Sequence, residues 1–245
     1  MLVLALDTST RQVTVAIGNE AGVVGSVTAG GPASSGPPRH TETLAPAIAE
    51  LMRITGVAPG ELTAVGVGIG PGMFTGLRAG VVTATMCASA LGLPVAPIPS
   101  LDVIAQPLLA VTSGLVVAIV DARRAEVFHA TYRASRGNWT RVADDAVGRP
   151  ADVASALAAN DEAMLLCGDA ATRVHEQLAD TAHVALAGPA FATPAPTALV
   201  ALTCDAVARD AICAPADVRP RYLRKSDAEI NADIRSERGA ATRSA

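Results

Sequence analysis

The stretch Gly66-Val67-Gly68-Ile69-Gly70-Pro71-Gly72-Met73-Phe74-Thr75-Gly76-Leu77-Arg78-Ala79-Gly80 constrains this chain more than any other segment. An apolar run from Leu62 to Val67 leads into it and reads as a buried strand, and Val81 to Leu91 leaves it as a helix closed by Gly92. Glycines let the backbone approach another group closely, and the free amides of a strand-to-helix turn can bind an anion. A P-loop needs Gly-Lys-Ser/Thr after its glycines, whereas Gly76 is followed by Leu77 and Arg78. Two readings stand at this point: close backbone packing, or an anion cradle at Gly70 and Gly72.

The 245 residues are half hydrophobic, enough for one large domain or two lobes with a substantial core. Aromatics make up only 2%, so that core must be built from Ala, Val, Leu and Ile. A net charge of −4 argues against stand-alone binding to nucleic acid, though not against a role inside a complex. Cys87, Cys167, Cys204 and Cys213 lack paired metal-ligand spacing and read as small buried thiols. Met1 to Leu6 is too short for a secretion signal, and no uninterrupted apolar run reaches membrane-spanning length. The expectation is a cytoplasmic protein without a membrane partner.

The chain also repeats itself. Leu2 to Ala16 is an apolar strand, an Asp-led turn at Asp7 and an alternating strand; Val116 to Ala130 has the same grammar around Asp121. Asp7 and Asp121, Val13 and Val127, and Ala16 and Ala130 match at one offset. Two lobes that each open with such a hairpin imply an α/β, actin-like duplicated fold of the ASKHA, ribonuclease H-like class with a cleft between the lobes. The expected division is residues 1–105, 106–226 and a flexible polar tail over 227–245.

After the first hairpin comes a Gly/Pro/Ser loop (30–38), then a helix whose apolar face is Leu44, Ile48, Leu51 and Met52. Pro46 predicts that this helix begins near Thr43 or bends there. In the second half, helices are expected at Asp152–Asn160, Thr172–Leu178 and Thr197–Asp210, and strands at Ala163–Cys167 and Val184–Leu186.

The opening LALDTST, the loop GIGPGMFTGLRAG, the repeat AIVDARRAEVF and the late RPRYLRK together resemble the TsaB (YeaZ) family, over Met1 to about Lys225. The resemblance implies a non-catalytic actin-like subunit of the bacterial machinery that makes threonylcarbamoyladenosine (t6A) in tRNA. Its implied partners are a TsaD-like catalytic subunit, met through the first two helices, and a TsaE-like P-loop ATPase; a homodimer through the same helices is the other assembly open to it. tRNA is then reached only through the complex. The implied partner-binding residues are Leu44, Ile48, Leu51, Thr75, Leu77, Arg78, Val81, Ala84 and Ala88. The related catalytic subunit carries a His-x-x-x-His metal pair after the helix that follows the glycine loop. Ser100 and Ile104 stand in those two places, so no metal, cofactor or catalytic residue of the chain's own is expected, beyond weak ATP or ADP binding at the partner interface.

Asp7, Thr8 and Ser9, with Gly70, Gly72 and Asp121, mark the nucleotide or anion cleft if there is one; Asp and Ser turns close hairpins with the same residue types. Arg123 and Arg124 after Asp121 suit phosphate or a solvated hairpin tip. His40 suits partner docking or the helix start, and His129, His175 and His183 have no companions for catalysis. Arg219, Arg221, Arg224 and Lys225 form a basic cluster that Tyr222 and Leu223 anchor, leaving its charges for solvent, a partner or tRNA phosphate. Two other classes compete: a stand-alone actin-like phosphotransferase with Asp7 and Asp121 around magnesium-ATP, and a glycoprotease-like metallopeptidase.

Overall fold

The computed structural model describes residues 1–30, 40–135, 138–178 and 181–224; residues 31–38 of the expected Gly/Pro/Ser loop (30–38), Lys225 and the polar tail lie outside them. A five-stranded sheet is built from β1 (Val3–Asp7), β2 (Gln12–Asn19), β3 (Gly22–Gly30), β4 (Ala64–Gly70) and β5 (Val95–Pro99), in the order β3-β2-β1-β4-β5. The second sheet takes β6 (Gly114–Arg123), β7 (Glu126–Ser135), β8 (Asn138–Arg141), β9 (Ala146–Gly148), β10 (Met164–Cys167) and β11 (Val184–Leu186). Its order is β11-β10-β6-β7-β8, with β9 pairing β7. In each half an antiparallel hairpin adjoins parallel strands, β1–β2 beside β4 and β6–β7 beside β10.

Strand alternation assigns the faces. Leu4 and Leu6 of β1 point to one layer, made by α1 (His40–Thr55) and α2 (Phe74–Leu91); Val3 and Ala5 point to the other, covered by α6 (Pro196–Ala208). The second sheet is covered by α3 (Ser100–Leu109) on one face, through Leu101, Ile104 and Leu108. Its other face meets α4 (Pro150–Ala158) and α5 (Ala171–His175). α3 precedes the second sheet yet lies on it, whereas α6 follows that sheet and returns to the first, so covering helices tie the halves together. The sequence boundary at 105/106 falls inside α3.

Three expectations need revision. α2 starts at Phe74, seven residues before Val81, because Gly76 and Gly80 lie inside the helix rather than in the turn. There they let α2 press against the end of β1: a methyl group on Gly76 would strike the Thr8 carbonyl, and one on Gly80 the Thr8 hydroxyl. α1 starts at His40, three residues before Thr43, and continues past Pro46 to Thr55. The repeat register also breaks across the turn. Asp7 faces Thr14, whereas Asp121 faces Val127, the counterpart of Val13. The second turn is one residue tighter and places Arg123, Arg124 and Ala125 at φ of 63°, 51° and 60°.

Two segments, Phe74–Leu91 and Pro189–Ala208, are long and apolar enough to cross a membrane by length and composition, although neither is an uninterrupted apolar run. Their helices pack along the first sheet. Gly92 closes α2 in the left-handed conformation expected of it, its amide bonded to Ala88 and Ser89 carbonyls.

Gly76→Ala is expected to cost about 2 kcal/mol through overpacking against β1, whereas Gly60→Ala, where a methyl group meets nothing, leaves stability within about 0.5 kcal/mol. Urea melts of the two variants check this.

Candidate functional site

β1 delivers Asp7 to the centre of the first sheet, where it is fully buried with Thr8, Ser9 and Ser100. The Ser9 amide and hydroxyl both donate to Asp7 Oδ1 at 2.7 Å, and the Ser100 hydroxyl donates to Oδ2 at 2.7 Å. Ser100 Oγ in turn accepts the Gly70 amide at 3.0 Å. Thr8 donates to the Gly76 carbonyl at 2.7 Å, and the Met73 amide to the Ser9 carbonyl at 2.9 Å. Burial pushes the Asp7 carboxyl above its ordinary range, opposed by the bonds from Ser9 and Ser100. A methyl group on Gly68 would collide with that carboxylate, and one on Gly72 with the Ser9 backbone.

The glycines therefore serve packing. Asp7, Thr8 and Ser9 offer no open surface to a phosphate, and their polar groups close the turn and seat α2. These three residues of the possible cleft are thus buried in the structure. Gly70 and Gly72 are likewise taken up, Gly70 lying against Leu77 and the Arg221 carbonyl. Ser100 opens α3 and links Asp7 to the glycine loop, while Ile104 one turn on sits in the second sheet's core. His40 is also buried; its Nε2–H donates to the Thr10 carbonyl at 2.9 Å, and burial lowers its pKa.

Asp121 belongs to the other sheet and faces differently. Its carboxylate accepts the Arg123 amide at 3.0 Å and pairs with Arg173 at 3.0 Å, while its own amide donates to Asp169 Oδ1 at 2.9 Å. Burial lifts the Asp169 carboxyl to about 6, with the Asp121 charge adding to the effect. Arg123 reaches across to Met73 Sδ at 3.1 Å, so the hairpin tip touches the glycine loop.

The expected docking residues divide by face. Leu44, Ile48, Leu51, Leu77, Val81, Ala84 and Ala88 are buried against the first sheet and cannot form an outer surface. α2 is apolar nearly all round, which hid its orientation; its solvent side carries Thr75, Arg78, Val82 and Met86. Val82 is 53% and Met86 67% exposed, and Ile54 of α1 is 52% exposed. Sequence reasoning missed these three; the four-residue series Arg78, Val82 and Met86 is no more outward-looking by composition than Leu77, Val81, Ala84 and Ala88.

The expected basic cluster is largely paired. Arg221 binds Asp145, which also binds Arg141; Arg141 reaches Asp102, to which buried Tyr132 donates at 2.7 Å. Arg224 pairs with Glu126 at 3.0 Å, and Arg219 donates to the Ala216 and Val218 carbonyls. Tyr222 and Leu223 do anchor the segment, Tyr222 on Phe74 and Leu223 against the second sheet's core. The four cysteines are free thiols, and burial raises the pKa of each.

Asp169 yields a pH prediction. Its folded pKa lies above the unfolded value, so the native state binds more protons between roughly pH 4 and 6 and loses stability as pH rises through that window. Asp169→Asn keeps an acceptor for the Asp121 amide without the charge. It is expected to stabilise the protein by about 1 kcal/mol at neutral pH, with the gain fading toward pH 4, as thermal melts across that range will show.

The model of the family described as TsaD, tRNA N6-adenosine threonylcarbamoyltransferase, matches residues 35–232. An uncharacterized protein of Mycobacterium leprae is 40% identical over 157 residues, 62% of this chain, but the match spans only 40% of that protein's length. The Bacillus subtilis tRNA threonylcarbamoyladenosine biosynthesis protein TsaB is 30% identical over 178 residues, covering 73% of this chain and 75% of TsaB. YeaZ from Pseudomonas aeruginosa superposes with a TM-score of 0.76 at 29% identity, over 91% of this chain and 99% of that one. The fold is that of the actin-like class expected from the repeated hairpins. The chain belongs to the family that the TsaD model describes and, within it, to the TsaB (YeaZ) branch.

Proposed function

We propose that this chain is a non-catalytic cytoplasmic subunit of the machinery that places threonylcarbamoyl on adenosine 37 of tRNAs reading codons that begin with A. It acts by docking on and activating a TsaD-like catalytic homologue, in an assembly that a TsaE-like P-loop ATPase joins. The observation that carries this reading is the fate of two positions, Ser100 and Ile104. Where the catalytic relative is expected to hold two metal-binding imidazoles, one side chain is consumed in bridging Asp7 to Gly70 and the other is core. Neither can polarise a carbamoyl donor. The B. subtilis relative is named a t6A biosynthesis protein, which supports the pathway.

Docking falls to the outward side of α1 and α2, with Ile54, Val82 and Met86 as its apolar part. Exposed apolar side chains on neighbouring helices suit a helical partner surface. Any ATP or ADP is held weakly at the partner interface, and tRNA is met through the assembly. The phosphotransferase alternative is disfavoured because Asp7 is sealed and Asp121 is paired with arginine.

Val82→Glu and Met86→Glu are expected to leave thermal stability within about 1 kcal/mol while abolishing co-elution with the catalytic homologue on gel filtration. Ala84→Arg, by contrast, puts a charge at a fully buried position and unfolds the monomer. Intact co-elution of both outward variants defeats the docking reading.

A further inference from the structure

At the N-terminal end of α2 three side chains stack. The Tyr222 ring lies 4.8 Å from that of Phe74, tilted by 31°, and the Arg78 guanidinium sits 4.5 Å from the Phe74 centroid. Phe128 and Tyr132 are buried in the second sheet's core and Trp139 and Phe191 pack against it, which leaves Tyr222 as the exposed aromatic of an aromatic-poor chain. Tyr222 is 42% exposed. Phe74, Arg78, Val82 and Met86 follow one another at four-residue steps, so the stack continues the outward strip of α2.

Arg78 is the sole charged residue of α2 and lies near the helix's positive end, where a cation is locally unfavourable. It has no acidic partner among the described residues. Tyr222, meanwhile, is held in place on both sides. The Arg221 amide donates to the Ile69 carbonyl at 2.7 Å, the Arg221 side chain binds Asp145, and Leu223 packs against the second core. A ring fixed before binding loses little entropy on contact. An immobilised tyrosine and an arginine without a counter-charge, beside an apolar strip, have the composition of a binding hot spot.

We infer that Tyr222 and Arg78 form the anchoring end of the α2 docking face. They take a partner helix that sets a carboxylate against Arg78 and an apolar side chain on the open part of the Tyr222 ring. This rests on the docking reading above and adds the C-terminal segment to a surface otherwise made by two N-terminal helices. Charge complementarity selects the occupant at this end of the face: α2 offers one cation and no acid, so a partner helix that sets a carboxylate against Arg78 fits it.

Titration calorimetry of the full chain against the catalytic homologue tests this. Tyr222→Ala and Arg78→Glu should each weaken association about tenfold or more, Tyr222→Phe should bind like the wild type, and Arg78→Glu should flatten the salt dependence. Arg78→Glu alters a solvent-facing side chain and keeps the test valid if Tyr222→Ala melts early. If Val82→Glu breaks the complex while both anchor variants bind within about twofold, the anchor is wrong and the docking reading survives. If Val82→Glu also binds normally, the docking reading falls and the anchor with it. Normal association but weaker retention of tRNA by the assembled Tyr222→Ala complex would reassign the stack to a nucleobase and overturn the proposal.

Discussion

A buried carboxylate organises the first half of this molecule. Asp7 ends β1 with no access to water, and its oxygens are met by the Ser9 amide and the Ser9 and Ser100 hydroxyls. An acidic group in such a place is tolerable only when fully hydrogen-bonded. That requirement fixes the turn after β1, the start of α3 and, through the Gly70 amide, the glycine loop. The glycines follow from the same crowding, since side chains at positions 68, 72, 76 and 80 would strike Asp7, Ser9 or Thr8. A segment that resembles an anion cradle is thus filled by the protein's own atoms.

Much of the fold was legible because it is local or periodic. The paired hairpins, the α6 and α4 helices, the short strands β10 and β11 and the Gly92 cap all follow from apolar alternation and glycine placement. The start of α2 was not, because Phe74-Thr75-Gly76 reads as turn until tertiary contact with β1 is known. Nor was the orientation of α2. The series Leu77, Val81, Ala84 and Ala88 and the series Val82 and Met86 are both apolar, and only the position of the sheet separates core from surface. The bond from Ser100 to Asp7 joins residues 93 positions apart, a relation that no spacing rule supplies. The one-residue difference between the two turns was masked by a sequence offset that matches on both strands.

The exchange of covering helices explains why a chain assembled from two similar halves need not open like a clasp. α3 and α6 each cross to the neighbouring half, and the segment from Val218 to Leu223 joins the first core to the second. Arg221 adds an ion pair to Asp145 at the same seam. On the outer side of α1 and α2, Ile54, Val82 and Met86 remain exposed.

Threonylcarbamoyl transfer to tRNA, measured with the catalytic homologue and its ATPase present and this chain added or omitted, tests the central claim most directly. A rise in product on addition, with none from the chain alone, is the result that a filled centre and a docking role require. Product formed by the isolated chain, or an unchanged rate when it is added, would contradict the account.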